Sequence, residues 1–267
     1  MKIIAVILSY YPQESFFKQN IESIIGCVDK VLVWENTPNY KKNDYRYIQN
    51  DKIEYHGDGI NSISHGLNYC WHYAEKNEYD YLLIMDQDSY WDDLSNYFGW
   101  TIYNSQAPEG IWGPEVIERQ RENPVIQVNK VITSGMLVNL NLINKIGGWN
   151  EIFDIDCVDD EFCLRARQYG INTYLFSKCR LRHRFGEPKS VEILGHRGLL
   201  RNDPPQRLYS IYRNHIILMK LFPLERSLKT EFKEDWIDRI KWILIFEDKR
   251  LKKMIAIVRG IISGMFY

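Results

Sequence analysis

Four apolar runs of strand length lie in the first third of the chain, and the stretches between them have helical length. The runs cover residues 3–8, 30–34, 52–55 and 81–85. Strands that alternate with helices in this way are typical of a parallel sheet covered by helices. The sequence therefore predicts an α/β fold whose central sheet is mostly parallel.

The last of these runs ends in two carboxylates, Asp86 and Asp88, separated by one residue. Ligands of open α/β sheets bind outside the carboxyl ends of the strands, so we expect this pair at the substrate edge. Two hard oxygen ligands suit Mg²⁺ or Mn²⁺ carrying a diphosphate. An acidic turn at the end of a strand would contain the same residues, and the pair alone does not separate these two interpretations.

Charge and cysteine content narrow the class of protein. The chain has 267 residues, and its 34 basic and 35 acidic side chains leave a net charge of −1. That balance argues against nucleic acid as a partner. The five cysteines are odd in number and include no Cys-x-x-Cys. This usage indicates reduced thiols in a cytoplasmic protein rather than a disulfide framework or a zinc site.

The C-terminal part has a helical pattern from residue 206 onwards. We therefore expect a catalytic α/β domain over residues 1–205 and a helical segment over residues 206–267. Basic residues cluster at 249–253, beside a segment rich in Trp and Ile at 236–246. Such helices pack on the sheet or contact a membrane as a basic amphipathic surface, and the sequence leaves both arrangements open.

In the middle of the chain, predicted strands and helices alternate less regularly. An acidic stretch over residues 154–161 leads into a helix over residues 162–169, where the helix dipole favours carboxylates. Asp159 in this stretch is therefore either a stabilising N-terminal charge or a functional carboxylate. Short strands are predicted over residues 110–116, 131–138 and 172–176, and helices over residues 91–103 and 141–146.

Several short motifs accompany the two carboxylates along the chain. They are Ser9-Tyr10, Glu35-Asn36, residues 63–68 ending in Asn68, Asp86-Gln87-Asp88-Ser89, residues 133–135, residues 146–151, residues 156–165, His183 and residues 207–214. This series resembles the inverting family 2 glycosyltransferases, most closely their bacterial rhamnosyltransferase-like branch, over nearly the whole chain. Tyr11 and Glu35 depart from the asparagine and aspartate that the family has at these positions.

The resemblance implies an A-type glycosyltransferase fold, with a Rossmann-like, mostly parallel sheet flanked by helices and a C-terminal helical extension. It implies Asp88 and His183 as ligands of Mn²⁺ or Mg²⁺, Asp86 on the nucleotide sugar or as a further ligand, and Asp159 as general base. The implied donor-binding residues are Ser9, Tyr10, Glu35, Asn68, Asp86 and Asp88. The implied acceptor-side residues are Thr133, Ser134, Gly135, Trp149, Asp156 and Glu161.

The activity implied is metal-dependent inverting transfer of a sugar to a hydroxyl of a bacterial surface polysaccharide or lipid-linked glycan. Rhamnose from dTDP-rhamnose is the first expectation, with the enzyme in the cytoplasm and at the inner face of the membrane. A divalent cation neutralises the departing diphosphate, and inversion requires a base on the opposite face of the sugar. Two alternatives are a haloacid-dehalogenase-like phosphatase, which also carries Asp-x-Asp after a strand, and a sugar-nucleotide-binding module without activity.

Overall fold

The computed structural model of the chain describes residues 1–38, 48–116, 119, 121–183, 189–193, 196–200 and 202–267. The chain divides into two compact units. Unit 1 comprises Met1–Asp154 and Val158–His183, and unit 2 comprises Ile155–Cys157 and Arg184–Tyr267. The boundary between the units thus lies before residue 206, which is the position predicted from the sequence pattern alone.

Unit 1 alternates strands and helices as expected. Its elements are β1 (Ile3–Ser9), α1 (Glu14–Ile24), β2 (Lys30–Glu35), β3 (Ile53–His56), α2 (Ile63–Lys76), β4 (Tyr81–Asp86), β5 (Ser89–Trp91), α3 (Leu94–Thr101), β6 (Ile111–Glu115), β7 (Val125–Val128), β8 (Leu137–Asn139), α4 (Leu140–Ile146), α5 (Val158–Gln168) and β9 (Thr173–His183). The described strands form one sheet in the order β3-β2-β1-β4-β8-β6-β9-β5, with β7 paired to β9. Six strands share one direction and β5, β7 and β8 run against them, so the mostly parallel sheet is confirmed.

The centre of this sheet is apolar on both faces. Every residue of β1 is buried, and the four residues from Leu82 to Met85 in β4 are 0% exposed. The chain leaves β1 towards β2 and β3 and returns to β4 on the other side of β1, which makes a topological switch point. In the parallel register Leu8 lies beside Asp86 and Ser9 beside Glu35. The polar ends of three strands therefore meet at the crevice where ligands of such sheets bind.

Two predicted strands of unit 1 differ from the structure in their bounds. The strand expected over residues 131–138 is wrong for most of its length, because only Leu137–Asn139 forms a strand. Gly135 turns the chain with φ 81°, and a Cβ there would lie 2.6 Å from the Pro114 ring. The strand expected over residues 172–176 is longer than predicted and continues to His183.

Unit 2 contains one strand pair and three helices among its described residues. The hairpin consists of antiparallel β10 (Lys189–Ile193) and β11 (His196–Leu200), which the sequence pattern does not predict. The helices are α6 (Pro205–Leu221), α7 (Arg226–Phe246) and α8 (Arg250–Met265), in agreement with the helical pattern from residue 206. Their shared core contains Leu208, Tyr212, Ile243 and Ile257. No helix in the described part of the chain is both long and apolar enough to cross a membrane.

A buried group of paired charges, the unit 2 ion cluster, joins the helices of unit 2. Arg239 pairs with Glu247 and, at 2.9 Å, with Asp203. Lys253 is 1% exposed, and its Nζ lies 2.7 Å from Glu247. Nζ of Lys253 also donates to Oδ1 of Asn202 at 2.5 Å. Each buried cation therefore meets a carboxylate, which is what burial of a charge requires.

Candidate active site

Three metal-ligating side chains, Asp86, Asp88 and His183, converge at the switch point and are called the acidic cluster below. β4 delivers Asp86, and the turn after it delivers Asp88. Antiparallel pairing of β5 with β9 places His183 opposite Ser89. Nδ1 of His183 lies 3.9 Å from a carboxylate oxygen of Asp86 and 3.9 Å from one of Asp88. One ligand atom from each of the three residues lies within 4.8 Å of the others.

A chain of hydrogen bonds underlies the acidic cluster. The backbone N–H of Asp86 donates to Oγ of Ser134 at 3.2 Å. Ser134 in turn donates to Oγ of Ser89 at 2.7 Å, and that hydroxyl lies 2.5 Å from Nδ1 of His183. Both serines are 0% exposed. They therefore fix the imidazole relative to the end of β4, as groups around a metal site commonly do.

The protonation properties of the acidic cluster suit a cation. Burial, and then the neighbouring Asp88 carboxylate, raise the pKa of Asp86 to about 7, although 34% of the Asp86 side chain is exposed. Burial lowers the pKa of His183 below its ordinary value, while Asp88 acts in the opposite direction. A neutral imidazole offers a lone pair, and carboxylates suit Mn²⁺ and Mg²⁺. The donor set therefore fits a divalent cation.

Glu35, predicted to contact the nucleotide, is held by its neighbours in the strand ends. Its carboxylate accepts hydrogen bonds from Ser9 Oγ at 3.3 Å, from Thr37 N at 3.1 Å and from Thr37 Oγ1 at 2.5 Å. The residue is 4% exposed, and burial raises its pKa against the effect of these hydrogen bonds. Glu35 and Ser9 therefore connect the ends of β1 and β2. Their contact with a donor stays a prediction.

Tyr10 presents an exposed ring from a fixed backbone. Its N–H donates to Oε1 of Gln87 at 2.6 Å, and its carbonyl accepts from Nε2 of Gln87 at 2.9 Å. The side chain of Tyr10 is 45% exposed. Gln87, which lies between Asp86 and Asp88, therefore connects the segment after β1 to the acidic cluster. An exposed ring at this position is compatible with stacking on a nucleotide base.

Asn68 and Trp149, assigned by the resemblance to the donor and acceptor sides, contact each other. Oδ1 of Asn68 accepts the backbone N–H of Trp149 at 2.7 Å, and Nδ2 donates to the Trp149 carbonyl at 2.9 Å. Nδ2 also lies 2.9 Å from Glu151. Trp149 is 3% exposed and stacks on Phe162 with ring centroids 4.6 Å apart. Both residues thus join elements of the fold, and their contacts with substrates stay predictions.

Asp159, the predicted base, lies in the first turn of α5. Its Oδ2 accepts the backbone N–H of Thr133 at 3.2 Å, and its Oδ1 accepts the N–H of Asp160 at 3.0 Å. Burial, and then the Asp160 carboxylate, raise the pKa of Asp159 to about 7, while Lys130 opposes this shift. Lys130 itself pairs with Asp160 at 2.7 Å. A carboxyl group whose pKa lies near neutrality is suited to accept a proton at neutral pH.

Two adjacent residues connect Asp159 with the acidic cluster. Thr133 binds Asp159 through its backbone N–H, and Ser134 binds the Asp86 backbone through its hydroxyl. Gly135 continues the connection, because its N–H donates to the Ile84 carbonyl at 2.7 Å. The turn at residues 133–135 thus links the two groups of carboxylates. Its predicted contact with the acceptor stays a prediction, and Ser134 itself is buried beneath the acidic cluster.

Glu161 lies on the buried side of α5. It is 2% exposed and pairs with Arg165 at 2.7 Å. Arg165 also donates to the carbonyls of Ile146 at 2.6 Å and Gly148 at 2.7 Å, so this pair holds the turn after α4. The contacts that the structure describes for Glu161 are therefore structural.

Asp156 belongs to unit 2, where Nη2 of Arg207 lies 3.4 Å from its Oδ1. Asn214 donates to the backbone carbonyls of Ile155 at 2.6 Å and of Asp156 at 3.2 Å. The backbone at Asp156 has φ 59°, in the left-handed region. Asn214 thus fixes a turn whose conformation is costly for a residue with a side chain. The predicted acceptor-side role of Asp156 stays a prediction.

Four residues near these carboxylates were not assigned roles from the sequence: Asn20, Gln87, Ser89 and Lys130. Nδ2 of Asn20 donates to the Asp86 carbonyl at 2.5 Å. Asn20 is 0% exposed on the same face of α1 as Phe17 and Ile21, and a polar residue on an apolar face is a signal that sequence inspection can find. Ser89 and Lys130 depend on strand pairing and on a distant loop, which give no local signal.

Comparisons with known proteins agree with the site. The dTDP-rhamnosyl transferase RfbF of Shigella flexneri is 26% identical over 247 residues, which cover 82% of this chain and 80% of that protein. The GalNAc-T7 structure with UDP, GalNAc and Mn²⁺ matches 82% of this chain with a TM-score of 0.61 and 9% identity. The chain is a glycosyltransferase, and its sequence is similar to this rhamnosyl transferase. The expected A-type glycosyltransferase fold is confirmed by these structural matches.

Further solved structures extend the match of this glycosyltransferase to nearly its whole chain. Mannosyltransferase PcManGT from Pyrobaculum calidifontis, in complex with GDP-Man and Mn²⁺, matches 98% of the chain with a TM-score of 0.55 and 11% identity. S. aureus TarS 1–349 matches 99% with a TM-score of 0.54 and 12% identity. The chain spans about half (48%) of the GalNAc-T7 chain and 73% of the PcManGT chain. No protein-family profile matches the chain.

Proposed function

We propose that this glycosyltransferase binds a nucleotide-diphosphate sugar at the acidic cluster and transfers the sugar, with inversion, to a hydroxyl deprotonated by Asp159. The observation that carries the proposal is the arrangement of the two groups of carboxylates. Asp86, Asp88 and His183 lie at the switch point of the sheet, and the turn at residues 133–135 connects them to Asp159. In this proposal the acidic cluster would hold the leaving group, and Asp159 would supply the base.

Asp88 and His183 would hold a divalent cation, and Asp86 would contact the nucleotide sugar or serve as a further ligand. Such a cation neutralises the negative charge that grows on the diphosphate as the bond to the sugar breaks. We favour Mn²⁺ over Mg²⁺ because the donor set includes a nitrogen. The solved structures of GalNAc-T7 and PcManGT also include Mn²⁺.

Asp159 would accept the proton of the acceptor hydroxyl during its attack on the sugar. Its pKa of about 7 allows it to be ionised at neutral pH and still to bind a proton strongly enough to assist the attack. Thr133 would orient the carboxylate through its backbone N–H. Because a base on the face opposite the leaving group allows a single displacement, the product would have inverted configuration at the anomeric carbon.

Rhamnose from dTDP-rhamnose is our first choice of donor, since the relative from Shigella flexneri bears that activity in its name. The acceptor would be a hydroxyl of a bacterial surface polysaccharide or of a lipid-linked glycan. Such an enzyme would work in the cytoplasm, at the inner face of the membrane. Tyr10, with its exposed ring, would stack on the nucleotide base.

A donor panel tests the proposal. The protein is incubated with dTDP-rhamnose, UDP-GalNAc or GDP-mannose, each with Mn²⁺, with Mg²⁺ or with a chelator, and released nucleotide is measured. We expect release from one donor above the others, dependent on the cation, and inverted anomeric configuration by NMR when a glycan acceptor is supplied. Phosphate release from simple monoesters, without any nucleotide sugar, would instead support the phosphatase. Binding of donors without turnover would support the inactive binding module.

A further inference from the structure

One face of α8 is apolar and exposed to solvent. The six residues of this face, called the α8 stripe below, recur at helical spacing and are 48% to 87% exposed. They extend over roughly 22 Å of helix at 1.5 Å per residue. Soluble proteins rarely expose a continuous apolar surface of this kind unless it contacts a partner. The α8 stripe consists of Leu251, Ile255, Val258, Ile262, Met265 and Phe266.

The opposite face of α8 is already occupied by α6. A Cβ at Gly260 would lie 2.5 Å from the Tyr209 carbonyl, and one at Gly264 would lie 2.7 Å from the Arg213 carbonyl. These two glycines, four residues apart, let the helices approach closely. Ile257, also on this face, is 2% exposed. Packing inside unit 2 therefore accounts for one apolar face of α8 and leaves the α8 stripe unexplained.

A groove with two cations runs beside the α8 stripe, between α6 and α8. Lys252 and Arg259 are seven residues apart, which places them two turns apart on the same side of α8. They line a cavity of about 400 Å³ together with Tyr209 and Ser210 of α6 and Ile255 of the stripe. Hydroxyl groups and cations beside an apolar surface suit the phosphate of a lipid headgroup.

We propose that the α8 stripe and its groove dock the protein on an anionic phospholipid bilayer. The stripe enters the boundary between headgroups and acyl chains, and Lys252 and Arg259 contact lipid phosphates. Charge supports this occupant, since residues 249–267 include no acidic residue and, apart from the buried Lys253, four basic residues. Amphipathic helices with a basic polar face bind such surfaces.

The same charges disfavour a second copy of the chain as the occupant. A two-fold interface through the α8 stripe would bring the same patch of both copies together. Arg259, between Val258 and Ile262 along the helix, would then approach its own symmetry mate, or Lys252 of that copy. Repulsion between like charges opposes this arrangement, whereas anionic lipid attracts the same side chains.

The docking surface deepens the proposed function, because a lipid-linked acceptor would be presented at the membrane that the α8 stripe contacts. It can nevertheless be tested separately. Release of nucleotide from a soluble donor needs no bilayer, and the α8 stripe belongs to none of the groups assigned to that chemistry.

Vesicle flotation with the full-length chain tests the inference. One set of vesicles contains phosphatidylcholine alone, and the other contains phosphatidylcholine and phosphatidylglycerol in equal parts. We expect flotation with the second set only. The double variant Lys252→Gln/Arg259→Gln should reduce partitioning about five-fold for each charge removed. Ile255→Ser/Ile262→Ser should reduce it further by removing buried apolar area.

Matched variants on α7 control for charge and for apolar area. Lys229→Gln/Lys233→Gln removes two exposed cations, and Ile237→Ser/Leu244→Ser removes two side chains that are 45% and 48% exposed. Both control variants should float as the unchanged protein does. Circular dichroism and thermal unfolding verify that every variant is folded.

Three results would overturn the inference. The first is equal flotation of the α8 and α7 variants. The second is loss of flotation when inorganic phosphate is added at constant ionic strength, which would assign the groove to free phosphate. The third is a dimer in lipid-free sedimentation that Ile255→Ser/Ile262→Ser converts to a monomer, without vesicle binding by either form. If flotation follows the prediction but no donor is turned over, the proposed function fails and the docking surface stands.

Discussion

The carboxylates of the unit 2 ion cluster and those of the candidate active site in unit 1 have opposite surroundings. In the unit 2 ion cluster, Glu247 and Asp203 meet the cations Arg239 and Lys253 within the chain. In unit 1, burial and a neighbouring carboxylate raise the pKa of Asp86 at the end of β4 and of Asp159 in α5 to about 7. The first arrangement holds helices together, because every charge is matched. In the second arrangement, neighbouring carboxylates repel each other. A cation or a proton from outside the chain would reduce that repulsion.

We infer that carboxylates paired with cations stabilise the fold, whereas carboxylates beside other carboxylates serve the chemistry. Replacement of a buried partner in a matched cluster leaves an uncompensated charge, so stability should fall. Replacement of a crowded carboxylate relieves repulsion, so chemistry should be lost while the fold is kept. Active sites are where such perturbed pKa values accumulate.

The largest effect is expected for Asp159→Asn. Loss of a general base lowers the rate of transfer by roughly 10²- to 10⁴-fold. Stability should change little, because the amide gives up one of the two hydrogen bonds accepted from backbone N–H groups but also removes the repulsion from Asp160. Steady-state transfer with the preferred donor measures the loss, and thermal unfolding measures the fold. Asp160→Asn, one residue away and paired with Lys130, serves as control and should keep most of the activity. Full activity of Asp159→Asn would remove this residue as the base.

Replacement of a cation in the unit 2 ion cluster should lower the stability of the fold. Lys253→Met leaves Glu247 without one of its two cations in a buried site, which should lower the free energy of unfolding by about 3–5 kcal/mol. Urea unfolding monitored by circular dichroism gives this value. Lys252→Met, at the neighbouring exposed position, is the control and should change stability little. Equal stability of the two variants would show that the ion cluster contributes no more than a surface lysine.

Sequence patterns predicted the parts of this architecture that depend on local chemistry. Continuous apolar runs located β1 and β4, because a strand buried on both faces needs no alternation. The same strand end identified Asp86 and Asp88. Pairings between distant segments leave no such signal. β5 has three residues, and its partner β9 brings His183 to Ser89 across 94 positions.

The positions around the predicted base show the same limit. The sequence indicated an acidic helix start and, by resemblance, Asp159. It did not show that Thr133 binds this carboxylate or that Ser134 binds the backbone of Asp86, because a turn rather than a strand places them there. Gly135 departs from strand geometry with φ 81°, and the sequence Thr133-Ser134-Gly135 predicts an interruption within a strand rather than a turn before it.

A moderate effect is expected for Ser134→Ala. The hydroxyl connects the Asp86 backbone to Ser89 and thereby to His183, so its loss should weaken Mn²⁺ binding about ten-fold, as loss of supporting groups around metal sites commonly does. Isothermal titration with Mn²⁺ measures the affinity. Ser64→Ala, also 0% exposed but in α2, is the matched control. Unchanged affinity in Ser134→Ala would show that the serine chain does not orient the cluster.

The smallest effect is a shift in the pH profile. A base with pKa about 7 must lose its proton to act, so the transfer rate should rise with pH, with an inflection near pH 7, and level off above it. Asp160→Asn removes a carboxylate that raises this pKa, so its inflection should move to lower pH. Rates measured across the pH range with saturating Mn²⁺ give both inflections. An inflection that moves to higher pH in Asp160→Asn would contradict the assignment.

The most direct test of the division between matched and crowded carboxylates is a Mn²⁺ titration of the enzyme followed by electron paramagnetic resonance. We expect one bound Mn²⁺ per chain in the unchanged protein and in Asp92→Asn, whose carboxylate pairs with Arg182 at 2.7 Å. Asp88→Asn and His183→Ala should lose this binding while they remain folded. Mn²⁺ binding by Asp88→Asn with unchanged stoichiometry and affinity would contradict the account.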